Sequence, residues 1–232
     1  MNKIGFSNGT LYRVEDVVSE ETIGKFYSVA PDCLEVFAHS DPGRMGLAPA
    51  AAAVANKFAR RSVHAPTHVR YGGTAESKAL LKMVAGLYAA IGAELVVIHP
   101  DVVDDWEAFN DFPMQIGVEN MDSRKNAFRD VESMWSLFDQ HQNFKMVLDL
   151  NHCFTNDPTM KLAERFIETL GDRVGQIHLS GFAGFHEPLF QTKQLEILKY
   201  CRELNAPIVI ESVLPDAADI KKEFDYIVEN LK

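Results

Sequence analysis

Apolar runs recur along the chain near residues 3 to 7, 33 to 38, 62 to 65, 94 to 99, 115 to 119, 145 to 150, 174 to 179 and 207 to 211. Several are continuously apolar, the pattern of strands buried on both faces. Between them lie stretches with helical spacing: EETIGKFYSV, LAPAAAAVANKFARR, AESKALLKMVAGLYAAIG, RKNAFRDVESMWSLFDQHQ, TMKLAERFIETLG, QLEILKYCREL and ADIKKEFDYIVENL. DDWEAFND, between the fourth and fifth runs, is the shortest helical segment. The alternation predicts α/β architecture, and eight strands predict a single closed (β/α)8 barrel over residues 1 to 232. Local signals mark boundaries: Asp157 before Pro158 in a first turn, Ser123 as a cap for the following helix, and Gly171 as a stop after FIETL.

Six of these runs end in a residue able to ligate a metal: VHAP at His64, VVIHP at His99, IGVEN at Glu119, VLDLNH at Asp149 and His152, GQIHLS at His178 and IVIES at Glu211. The gaps between successive positions match one strand, one helix and their turns, so each ligand comes from its own βα unit. A closed parallel barrel brings all strand C-termini to one face, which would gather these residues into one site. Charged side chains rarely finish apolar strands unless they are paired or bind a metal, so the repetition outweighs the structural reading of any single His or Glu. Glu119, Asp149, His178 and Glu211 form a mixed oxygen and nitrogen set suited to a divalent cation; Mn²⁺, Mg²⁺, Co²⁺ and Zn²⁺ all remain open. His152, three residues after Asp149, would reach substrate or a second metal, and His64 and His99 would line the same mouth.

Other residues keep two readings. Glu35 in CLEVF points into the barrel or toward the helices, with a supporting or salt-bridge role as good as a catalytic one. His39 lines the mouth or sits in a loop; His68 and His141 are assigned to the solvated surface. Trp106 and Phe109 wall the pocket or anchor a short helix, and Arg124 and Lys125 meet an anionic substrate or are simply exposed.

Composition narrows the class. At 47% hydrophobic and 24% charged residues the chain is an ordinary globular protein. A net charge of −10 disfavours nucleic acid and anionic membranes, while leaving room for a local basic patch. Cys33, Cys153 and Cys201 form no CxxC pair and are odd in number, which argues against a disulfide framework and for a reducing cytoplasm. The N-terminal segment lacks a signal-type apolar region and no apolar run reaches membrane length, so neither export nor a span is expected. A homo-oligomer is compatible with all of this.

Taken in order, VHAP, VVIHP, GVENM, VLDLNH, IHLSG and IVIES resemble the xylose isomerase-like TIM-barrel superfamily, which includes sugar isomerases and epimerases, sugar-acid dehydratases and apurinic/apyrimidinic endonucleases. The resemblance covers nearly the whole chain. By its epimerase branch it implies a small sugar or hydroxy-carbonyl substrate, a divalent metal on Glu119, Asp149, His178 and Glu211, Glu119 and Glu211 as the acid/base pair acting through a metal-stabilised enediolate, and His152 on a substrate oxygen. His64, His99 and His186 are then assigned to substrate as well. By its endonuclease branch it implies a cluster of three metals held by His64, His99, Glu119, Asp149, His152, His178, His186 and Glu211. That branch pairs the last histidine with an aspartate two positions earlier, where this chain has Gly184, and many epimerases carry an arginine at that same place. Isomerase or epimerase is the leading expectation; an endonuclease-type hydrolase and a dehydratase are the alternatives.

Overall fold

In the computed structural model, which describes residues 2–39, 41 and 45–232, parallel strands pair in chain order and close on themselves. They are β1 (Ile4–Ser7), β2 (Cys33–Phe37), β3 (Arg60–His64), β4 (Leu95–Ile98), β5 (Ile116–Glu119), β6 (Lys145–Asp149), β7 (Val174–Leu179) and β8 (Ile208–Ile210). The β8–β1 pairing, with Gly5 opposite Val209, seals the eight-stranded barrel that the alternation predicts. The helices are α1 (Glu20–Val29), α2 (Pro49–Ala55), α3 (Ala75–Ala90), α4 (Val131–Gln140), α5 (Leu150–Asn156), α6 (Lys161–Leu170), α7 (Leu189–Thr192), α8 (Leu195–Leu198) and α9 (Asp219–Asn230). Between β4 and β5 two 3-10 turns, Pro100–Val102 and Trp106–Phe109, stand where DDWEAFND is the weakest helical segment. Among the described residues no helix is long and apolar enough to cross a membrane.

Strand side chains alternate between the two faces of the sheet. One alternating set, including Phe6, Leu34, Val36, Val63, Val96, Val118, Leu148, Ile177 and Ile210, belongs to a continuous core cluster shared with helix residues such as Phe26, Leu81, Phe138 and Phe166. The other set points into the barrel. Its apolar members Leu95, Val97 and Val147 form a separate cluster, and its register rows join Glu35 to Ser62, Glu119 to Val147 and Asp149 to His178. Gly117 belongs to this inner set: a Cβ there would lie 2.9 Å from both Leu95 Cδ2 and Val147 Cγ2, so the bare backbone is what lets those two side chains fill the interior.

The outer layer follows helical periodicity. In α6, Leu162, Ala163, Phe166 and Leu170 are buried and Ile167 packs partly buried beside them, while Glu164, Arg165, Glu168 and Thr169 are polar, so this helix is held by its apolar stripe. Truncating the fully buried Phe166 to Ala would cost about 3–5 kcal/mol. Several caps are side-chain caps: Ser19 Oγ accepts from Thr22 N, Thr74 Oγ1 from Ser77 N and Asp130 Oδ1 from Ser133 N.

Four local expectations are corrected. Ser123 caps no helix; the segment up to Arg129 is a loop, Ser123 N donates to Thr155 Oγ1 at 3.2 Å, and α4 starts only after Asp130. Pro158 lies in a turn rather than the first turn of α6, although Asp157 still reaches forward to accept from Leu162 N at 3.0 Å. The strand expected to run to residue 150 stops at Asp149 and the chain turns at once into α5, because Asp149 itself caps that helix by accepting from His152 N at 2.8 Å. QLEILKYCREL forms not one helix but α8 and a 3-10 turn, Lys199–Arg202.

Candidate metal centre

The site builds from one carboxylate outward. Glu119, the last residue of β5, is fully buried. Its Oε2 lies 3.0 Å from His99 Nε2 and 3.3 Å from His64 Nε2; its Oε1 lies 3.4 Å from both His178 Nδ1 and His152 Nδ1. Glu211, directly after β8, places Oε2 3.2 Å from His178 Nδ1. Asp149 ends β6; one oxygen caps α5, and the other lies 3.6 Å from His152 Nε2. Among the described residues three sets of donor atoms, each mutually within 4.8 Å, could hold a metal ion: Glu119, Asp149, His178 and Glu211; His64, His99 and Glu119; and Glu35, His64, His178 and Glu211. All four expected ligands thus share the first set. Of the residues expected to contact substrate, His64 and His99 stand beside it, while His152 and His186 fall in none of the sets found among the described residues.

Two observations test whether this set suits a cation. Glu119 Oε1 and His178 Nδ1 are buried with no hydrogen-bond partner among the described residues, yet they face one another. Buried polar atoms are nearly always satisfied, and an ion position is one of the few physical reasons for an exception. The second is charge. Burial pushes the Asp149 carboxyl up, and Glu119 and Glu211 push it further, to about 7 despite the opposing pull of His152. Burial also raises Glu211, but His178 outweighs it and brings that carboxyl down to about 2. Carboxylates crowded into one buried site cannot all ionise without help, and a divalent cation removes the conflict. The donor set fits a hard or borderline divalent ion.

The flanking histidines differ. Burial pulls the His64 imidazole down, but hydrogen bonding to Glu119 and the charges of Glu35 and Glu211 lift it to about 9. Burial, with His152 nearby, depresses His186 to about 4. His152 Nδ1 lies 2.7 Å from the Asn120 carbonyl oxygen, so as a donor there it leaves Nε2 free toward Asp149 and Asp122. His186, in the loop after β7, pairs its Nδ1 with Ser180 Oγ at 2.9 Å and packs edge-on against His152 and Phe185.

Gly184, two positions before His186, has φ +146, a conformation that the aspartate of the endonuclease pattern or the arginine of the epimerase pattern would adopt only under strain. Glu187 organises this loop by accepting from Phe185 N at 3.0 Å and from Ala183 N.

The remaining candidates separate cleanly. Glu35 points into the barrel and is fully buried, where Oε2 accepts from Ser62 Oγ at 2.9 Å and from the Gln176 amide at 2.7 Å. His39 accepts from Asp41 N in the loop after β2, and His68 is exposed. His141 departs from the expected solvated surface: it is half-buried, stacked on Phe144 with centroids 4.7 Å apart and 5.7 Å from Trp106. Trp106 and Phe109 pack with Phe144 and Tyr71, which makes them anchors of the β4–β5 segment. Arg124 pairs with Asp122 at 2.7 Å and Lys125 with Asp101 at 2.7 Å. Asn120 was not singled out by sequence. Its side chain accepts from Asp149 N and donates to Asp149 O, clamping that residue's backbone, and its only signal was its place beside Glu119 in GVEN.

No family model and no curated protein sequence matches the chain. Its fold does match solved structures. A xylose isomerase domain-containing protein from Salmonella typhimurium aligns with TM-score 0.71 at 14% identity, covering 99% of this chain and 97% of that one. A D-allulose 3-epimerase from Methylomonas sp. gives 0.71 at 15% identity, covering 99% and 98%. Endonuclease IV from Thermus thermophilus gives 0.67 at 18% identity, covering 98% and 99%. The chain therefore has the fold of the xylose isomerase-like TIM barrels, as the strand-end motifs imply.

Proposed function

We propose that the protein is a divalent-metal-dependent isomerase or epimerase that moves a proton on a small sugar or hydroxy-carbonyl compound. The observation that carries this reading is the placement of two strand-end carboxylates, the buried Glu119 and the half-buried Glu211, in one four-residue ligand set with Asp149 and His178. Sugar epimerases among the structural neighbours, one of them solved with D-allulose, support the substrate class. When bound, a divalent cation at this set supplies Lewis acidity that lowers the cost of negative charge on neighbouring substrate oxygens.

The chain's own residues then do the following. One of Glu119 and Glu211 removes a proton from the carbon beside the substrate carbonyl; the C–H electron pair moves into the carbon skeleton and the carbonyl oxygen gains charge. The other carboxylate returns a proton to the opposite face for epimerisation; for isomerisation the proton returns to the neighbouring carbon while the hydroxyl proton on that carbon passes to the former carbonyl oxygen. His99, partly open to the mouth, and His152 sit where they can hydrogen-bond substrate oxygens. Burial of Glu119 keeps water from competing for the proton.

A hydrolytic reading has one observation of its own: His64, His99 and Glu119 form a second ligand set beside the first, as a multi-metal phosphodiesterase would need. Against it, His152 and His186 join no set, and Gly184 stands where that branch has an aspartate.

Incubation with Mn²⁺ or Co²⁺ in D2O over a panel of ketoses tests the proposal. Metal-dependent deuterium exchange at a substrate carbon is the expected result, abolished in Glu211→Gln. Incision of an abasic duplex with no exchange on any sugar would transfer the assignment to the hydrolytic reading.

A further inference from the structure

Among the described residues Glu35 is the one inward strand carboxylate that the proposed reaction does not use. It sits in the middle of β2, one layer below the ligand set, and its side chain is fully buried. Its hydrogen-bond partners Ser62 and Gln176 both line a cavity of about 160 Å³ that also meets Arg60, Glu94 and Lys145, near the N-terminal ends of the strands. Glu35 therefore lies between that cavity and His178, on the side away from the mouth where substrate enters.

We infer that Glu35 is a positioning residue that fixes the proton of His178 on Nε2 and so turns the Nδ1 lone pair toward the cation. The inference rests on the reading of Glu119, Asp149, His178 and Glu211 as a cation site. His178 Nδ1 faces Glu211 Oε2 at 3.2 Å and Glu119 Oε1 at 3.4 Å, while Nε2 faces Glu35 Oε2 at 3.3 Å. A neutral imidazole that ligates through Nδ1 must carry its hydrogen on Nε2, and that hydrogen needs an acceptor.

The Gln176 amide, 2.8 Å from the same Nε2, creates the alternative. An amide N–H donating to Nε2 would select the opposite tautomer, with the hydrogen on Nδ1 and no lone pair for a cation. One Gln176 N–H donates to Glu35 Oε2 at 2.7 Å, where Ser62 Oγ also donates, and the second N–H of the same amide is left facing Nε2. Glu35 and Gln176 therefore compete for the tautomer of the ring, and the charge of the carboxylate is what favours the hydrogen on Nε2. The other oxygen of Glu35, Oε1, is buried without a hydrogen-bond partner among the described residues. Packing alone would not keep so costly a group there.

Glu35→Gln conserves size and removes the charge. Zn²⁺ binding is measured by calorimetry on wild type and variant, with circular dichroism to verify the fold, and imidazole nitrogens are followed by 15N NMR of the Zn²⁺-loaded protein. Expected are about 10- to 100-fold weaker binding in the variant, the usual effect of losing a partner behind a ligating histidine, and, in wild type, His178 ligating through Nδ1 with a protected Nε2–H. Zinc affinity in folded Glu35→Gln within twofold of wild type would overturn the inference and leave the cation site standing. Ligation through Nε2 in wild type would overturn it without recourse to any variant. Wild type binding neither Zn²⁺ nor Mn²⁺ would remove the cation site itself, and this inference with it.

Discussion

His99 Nε2 lies 3.0 Å from Glu119 Oε2, the shortest of four imidazole contacts made by that one carboxylate. Glu119 is thus held from His64 and His99 on one oxygen while its other oxygen faces the ligand set. A carboxylate braced on one side can shuttle a proton on the other without swinging away. His99→Ala should lower kcat by tenfold or more, in the range of general acid–base contributions of about 10²–10⁴, while leaving one cation per chain. Steady-state kinetics with elemental analysis reads both, and a lost cation would instead make His99 a ligand.

Cation stoichiometry discriminates the two proposed chemistries. Protein purified without chelator should carry one divalent cation per chain, lost in Glu211→Gln and kept in His64→Ala. A content of two or three, with one lost in His64→Ala, would favour phosphodiester hydrolysis and count against the isomerase reading.

Removing the cation should also destabilise the fold. A ligand present at about 100 times its Kd adds about 2.7 kcal/mol, which for a chain of this size corresponds to roughly 5–10 °C in Tm. Thermal melts before and after chelation, and after Mn²⁺ is restored, measure it. A melting point indifferent to chelator would contradict a resident cation at the buried set.

Gly117→Ala should weaken the barrel from inside. The new methyl would press on Leu95 and Val147, each 2.9 Å from the Cβ position, and overpacking of this kind costs about 1–3 kcal/mol. Urea unfolding tests it. A neutral result would mean that Leu95 and Val147 can move apart freely, contrary to a filled interior.

Asp122 supplies an acid-dependent term. Burial raises its carboxyl, but the Arg124 side chain and backbone N–H outweigh burial and bring it to about 2, from an ordinary 3.8. Because the folded value is depressed, its contribution is fully present above about pH 4 and disappears as pH falls from 3.8 through 2. The shift corresponds to at most about 2 kcal/mol, less for the exposure of Arg124. The stability gap between wild type and Asp122→Asn should therefore shrink between pH 5 and pH 2.5. A gap that stays constant would show that the Arg124 pairing does not persist in solution.

The barrel was readable because strands buried on both faces leave continuous apolar runs, and because each ligand closes its run. What escaped was governed by single hydrogen bonds. Asp149 ends its strand as the sequence suggests, but nothing in VLDLNH announces that its cap on His152 N starts α5 immediately. Ser123 has the chemistry of a cap, but Asp130 occupies that role seven residues later. The orientation of Glu35 was undecided because alternation says only that neighbours face opposite ways; the pairing of Glu35 with Ser62 and its bond to Gln176 decide which way is in. His141 reads as surface by its polar neighbours, and only the fold brings Phe144 and Trp106 against its ring.

The separation between Leu95, Val97 and Val147 inside the barrel and the larger cluster beneath the helices has a practical meaning for anyone rebuilding this protein. The outward letters of the strands answer to the outer scaffold, while the inward letters divide by depth: those at the C-terminal ends answer to the chemistry and those below them to interior packing. A library restricted to the inward letters at the mouth could explore new substrates on an unchanged chassis, and one restricted to the outer letters could raise heat tolerance without rewriting the reaction.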